Sequence, residues 1–129
     1  MPAPPAGHAL EPVGETEAFQ QFSQENQTDF AKLIFLMNYY HNADFVIVFD
    51  GAEYTPQFAF PFAQIYLFTH YRNEEPAKWI KAHCYRSPFL QNIIYFRYPD
   101  GSYEVARDVI LQGYADLENA LQGDLQRGA

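Results

Sequence analysis

The segment 64–80, QIYLFTHYRNEEPAKWI, decides how the chain is divided into elements. In an extended backbone Ile65, Leu67 and Thr69 point to one side, and Tyr66, Phe68 and His70 to the other. Both sets are largely apolar, which predicts a central strand over 64–71 covered on both faces. The pattern then changes. Asn73 suits a helix cap, Glu74 and Glu75 suit the positive end of a helix dipole, and Pro76 fits a first turn where its missing N–H is not needed. Trp79, Ile80, His83 and Cys84 then share one face of a helix expected over 74–85.

Upstream, Thr16 is a candidate cap, and Phe19, Phe22, Phe30, Leu33, Ile34, Met37 and His41 recur at three- and four-residue spacing. This predicts one long helix from 16 to 41, although Thr28-Asp29 resembles a second cap. Phe45–Phe49 is a β-branched, apolar run and reads as a strand ended by the turn pair Asp50-Gly51. Phe58, Phe60 and Phe62 alternate with Ala59 and Pro61, as in an edge strand interrupted by prolines. Residues 1–14 hold four prolines and two glycines and read as a flexible tail.

Downstream, Ser87-Pro88 ends the helix, and a hairpin follows around Pro99–Ser102. A four-residue loop would pair Tyr98 with Tyr103, Arg97 with Glu104 and Phe96 with Val105. Asp108 then caps a last helix carrying Ile110, Tyr114, Leu117 and Leu121, with Gly123 as its stop and 124–129 frayed. The expectation is an α+β single domain over 15–123. Its mostly antiparallel sheet has about five strands packed by helices, in the order α-β-β-β-α-β-β-α. That order, with the acidity described next, resembles the type III secretion chaperone-like fold. The resemblance implies a small acidic protein with a protein-binding role.

Composition narrows the function classes. The chain has 129 residues, 48% hydrophobic and 18% aromatic, enough for one sizeable core. Sixteen acids against eight bases give a net charge of −8, which opposes nucleic acid or an anionic membrane as partner. The charge is uneven. Up to residue 71 the only base is Lys32, whereas 72–107 carry Arg72, Lys78, Lys81, Arg86, Arg97 and Arg107 against four acids. The single cysteine, Cys84, excludes an internal disulfide and a multi-cysteine zinc site. With no signal-peptide core and no run of about 18 apolar residues, a cytoplasmic protein is expected.

No constellation points firmly to catalysis. His83-Cys84 places a thiol beside an imidazole, but adjacent helix residues diverge by about 100°. Asp50 follows a strand as a phosphoryl-accepting aspartate would, yet Ala52 stands where a second aspartate is usual. His41, His70 and His83 show no metal-ligand spacing, so neither metal nor cofactor is expected. The surplus of rings favours a non-enzymatic module that binds another protein or a second copy. Phe35, Tyr39, Tyr40, Phe58 and Phe60 are the candidate apolar patch, with Tyr85, Arg86 and Arg97 as a basic-aromatic set beside Tyr71 and Arg72. The alternative is a small-ligand domain or enzyme with a pocket formed by Tyr54, Tyr66, His70 and Tyr71.

Overall fold

Two threonines begin the fold by closing helix starts. The Thr16 hydroxyl accepts from Phe19 N at 3.0 Å and opens α1 (Glu17–Phe22); the Thr28 hydroxyl accepts from Ala31 N at 3.1 Å and opens α2 (Asp29–Tyr40). The single helix expected over 16–41 is therefore two. Each threonine satisfies amides that a continuous helix would have bonded internally, and the polar link between them leaves the helical path. The computed structural model describes residues 10–128, with side chains to residue 124. Most of the expected flexible tail, residues 1–9, lies outside the described residues. Residues 10–14 do not behave as a tail: Val13 is 3% exposed and packs in the core.

β1 (Val46–Phe49) turns through Asp50 and Gly51, both at positive φ, into β2 (Ala52–Tyr54). Phe49 pairs with Ala52, so the two central residues form the mirror-image turn that Asp-Gly favours in tight hairpins. Phe58–Phe62 and 64–71, expected as two strands, fall in one helix, α3 (Pro56–His70), with Tyr71 as its extended C-cap residue. Thr55 caps it by accepting from Phe58 N, and Pro56 occupies its first turn. A continuous apolar run of this length is ambiguous by periodicity, and fifteen residues suit a helix better than a strand. α4 (Pro76–His83) lies within the expected 74–85 with Pro76 in its first turn, but Asn73 does not cap it: Glu75 is the N-cap residue, without a side-chain cap bond, and Asn73 sits before it at φ +65.

β3 (Tyr95–Arg97) and β4 (Tyr103–Val105) complete a four-stranded antiparallel sheet, ordered β2-β1-β3-β4. Their register differs by one from the expected pairing: Arg97 opposes Tyr103 and Phe96 opposes Glu104. The cause is the turn. Tyr98 N donates to Ser102 O and Gly101 N to Tyr98 O, both at 2.8 Å, with Gly101 at φ +90, so the loop has three residues rather than four. Tyr103 and Val105 thus join Arg97 on the outer face. The inner face carries Phe45, Ile47, Phe49, Tyr54, Phe96 and Tyr98. α5 (Ala106–Gly128) continues through Gly123, which does not stop it, and through most of the segment expected to fray.

Two apolar cores result. One joins the helices through Phe19, Leu36, Leu67, Ile80 and Leu117. The other sits on the sheet, where Phe45 stacks on Phe96 with centroids 4.0 Å apart. Tyr40 and Ile110 pack against both. Tyr40 donates to Val109 O at 3.0 Å, and its ring lies where a Cβ on Gly113 would fall, 2.2 Å from the hydroxyl oxygen and 3.1 Å from the ring. Replacing a helix-interior glycine by alanine ordinarily stabilises by about 1 kcal/mol. Here Gly113→Ala is expected to destabilise by roughly 1–3 kcal/mol through overpacking. Denaturant unfolding checks this, and Tyr40→Phe in the same chain should recover part of the loss.

Candidate functional site

α3 is built so that the rest of the chain covers only part of it. It holds no Asp, Glu, Lys or Arg. Its principal contacts are with α2 and β1. Leu67 is buried on the inner side, and Phe60 leans on His41 with centroids 4.8 Å apart. The opposite side carries Phe58, Phe62 and Ile65 at spacings of four and three, a single helical stripe. These residues are 57%, 63% and 65% exposed, and Phe68 beside them is 58% exposed. A helix apolar on every side belongs in an interior, so this one lacks a cover.

Between α3 and the sheet lies a groove of about 780 Å³. Its floor is the inner face of the sheet: Ile47, Phe49, Tyr54, Ile94 and Phe96. Its roof is the side of α3 where Ala59, Ala63, Tyr66 and His70 recur at spacings of four, three and four. The two alanines explain the gap, because side chains this short do not reach the floor. Trp79, Ile80 and His83 of α4 close one end, and Phe89 stands at the mouth, 76% exposed, near Phe49.

The Pro88–Leu90 segment is held by Asp50. Its carboxylate accepts from the buried Ser87 hydroxyl at 2.5 Å and from Asn92 Nδ2 at 3.2 Å. The Ser87 hydroxyl in turn accepts from Phe89 N and Leu90 N. Asp50 is therefore a turn residue and a loop anchor, engaged by groups that a phosphoryl acceptor would leave free.

The groove's polar groups include a hydrogen-bonded set near α4, while Tyr40, His41 and Tyr54 line it elsewhere. Tyr66 and His83 Nδ1 are hydrogen bonded at 2.8 Å, and His70 Nδ1 donates to Tyr66 O at 2.9 Å, which places a proton on that nitrogen. Burial lowers the His83 pKa below its usual 6.5, with His70 adding to the effect and Glu74 opposing it. Burial pushes the Cys84 thiol up to about 12, which removes it as a nucleophile at neutral pH. No group of three or more His, Cys, Asp or Glu could hold a metal ion among the described residues.

Phe58 is on the uncovered stripe and Phe60 is half-buried behind it. Phe35 is 6% exposed, tilted against Phe22, and is core rather than surface. Tyr39 and Tyr40 are half-buried, donating to Glu11 O and Val109 O. They line a separate cleft with Asp44, Glu104, Asp108 and Asp116, where burial raises both phenols above their usual 10, helped at Tyr40 by the Tyr39 phenol and at both by Asp116. The expected patch of five rings is therefore not one surface.

Tyr54, Tyr66 and His70 do line the groove. Tyr71 does not; it packs on Phe30 and donates to Glu74 O. The basic-aromatic set is dispersed. Tyr85 lies under the guanidiniums of Arg86 and Arg107, at 5.1 and 4.1 Å. Arg97 makes a two-pronged pair with Glu53 at 2.9 Å, which holds that carboxyl below the usual range. Phe62, Ile65, Phe68, Phe89 and Leu90 were missed. The Thr55-Pro56 helix start was the signal that would have placed the first three on one helix.

No family model matches the chain, and comparisons with curated proteins and with solved structures give no significant match. The resemblance to the type III secretion chaperone-like fold has no match behind it, and helix α3 stands where the order on which it was drawn has strands. No helix among the described residues is long and apolar enough to cross a membrane.

His83 sets a pH test. With its folded pKa below 6.5, the unfolded chain binds the proton more readily between the two values. Stability is therefore lost as pH falls below about 6.5, until the folded-state pKa is passed. Melting temperatures from pH 7.5 down to pH 5 should fall less steeply in His83→Gln than in the parent chain. Identical slopes would contradict the assignment.

Proposed function

We propose that this chain is a non-enzymatic protein-interaction module that docks a polypeptide on the apolar face of α3 and the groove beneath it. The observation that carries this reading is the charge-free helix with Phe58, Phe62 and Ile65 more than half exposed beside that groove. Contiguous exposed apolar patches of a few hundred Å² mark interaction sites on folded proteins. Grooves with apolar floors accept amphipathic helices through anchors at three- and four-residue spacing. The class of activity is that of a chaperone, adaptor, assembly factor or toxin-neutralising partner. Its acidity opposes a nucleic-acid or membrane partner. A lone thiol fits the reducing cytoplasm.

One observation favours a second reading. The groove volume falls within the range of about 300–1,000 Å³ typical of small-molecule sites. Tyr66, His70 and His83 would then orient the polar end of an apolar ligand.

A photo-crosslinking residue in place of Phe58 separates the two. Illumination in the native host is expected to give a discrete polypeptide adduct, lost when Phe62 and Ile65 are both changed to Glu. A small molecule recovered from the groove with no polypeptide adduct would overturn the first reading in favour of the second.

A further inference from the structure

We infer that the polypeptide covering α3 is a second copy of this chain, in a two-fold dimer where α3 packs against its counterpart. The inference rests on the preceding reading and names its occupant. Three observations point to self-association.

The first is area. Large side chains bury about 150–250 Å² each. The exposed fractions of Phe58, Phe62, Ile65 and Phe89, which line the groove, then leave roughly 450 Å² of apolar surface per chain, to which exposed Phe68 and Leu90 add on the order of 200 Å² if the contact extends to them. A stable interface of ordinary size takes about 800 Å² from each partner.

The second is charge. Two chains of net charge −8 repel at most faces. α3 is where they can meet without like charges opposed, since it has no acidic or basic side chain. A different acidic or basic partner would gain nothing from so neutral a contact, whereas an identical one loses nothing.

The third is shape. A two-fold interface needs one surface that is both knob and hole. Here Phe58, Phe62 and Ile65 line the same groove as Ala59 and Ala63 and form its exposed rim, so bulky rings and the hollow beside the alanines lie on one surface. Crossing α3 over its copy places each stripe at the other's groove, and antiparallel helix dipoles add a favourable term.

Sedimentation velocity from about 1 to about 100 µM tests this. The parent chain should shift with concentration from 14.9 kDa toward twice that mass. Phe62→Glu/Ile65→Glu is expected to weaken association at least ~100-fold, as loss of central anchors does. Phe62→Lys/Ile65→Lys should do the same, and an equal mixture of the two variants should associate again. Both positions are more than half exposed, so circular dichroism should show folded variants. A parent chain monomeric throughout, charge variants that remain dimeric, or a mixture that fails to associate overturns the inference. If a monomeric chain still crosslinks a different polypeptide through position 58, the docking reading stands and only self-association falls. If it crosslinks nothing, both fall.

Discussion

A helix without a charged residue has to be wrapped by apolar neighbours, and α3 has neighbours on only part of its circumference. Water ordered over the remaining rings costs about 25 cal/mol for each Å² left exposed. The chain tolerates this because other elements are well covered. Leu67 anchors α3 to the helical core, and each such buried side chain contributes about 1.5–3 kcal/mol. The fold therefore positions a greasy helix firmly by one edge while leaving its outer stripe bare.

The same constraint explains the groove. Folded interiors are ordinarily packed without sizeable voids. Here the helical and sheet cores meet through Tyr40 and Ile110, and beyond them α3 stands away from the sheet. Ala59 and Ala63 are too small to bridge the gap. Asp50 fixes the far wall by gathering Ser87 and Asn92, so Phe89 is held outward at the mouth and Leu90 next to it in sequence is exposed. The groove and its rim thus follow from two short side chains and one anchored loop.

Much of this was legible beforehand. The capping threonines, the β1 strand, the Asp50-Gly51 turn, the place of Pro76 in the first turn of α4 and the α5 stripe all rest on local chemistry, which acts the same way in any tertiary setting. α3 was not legible by periodicity, because a segment apolar on every side has no polar face to mark its period. Pro61 and the alternation of Phe58, Phe60 and Phe62 further imitated a strand. That error hid the site: a strand would put Phe58, Phe60 and Phe62 on one face and leave Ile65 to another strand, whereas the helix turns Phe60 inward and joins Phe58 and Phe62 to Ile65 in one exposed stripe. The hairpin register failed for a smaller reason, since Gly101 in the left-handed region shortens the loop by one residue. Surplus aromatic surface could be inferred from composition, but which rings are surplus depends on where α3 lies.

The central claim is that the outer face of α3 is bare in the isolated chain. Urea unfolding of Phe62→Gln/Ile65→Gln at nanomolar chain concentration, where association is negligible, measures this directly. The account predicts stability within about 0.5 kcal/mol of the parent, as for other exposed substitutions. A loss of several kcal/mol, the usual cost of removing large side chains from a core, would contradict it.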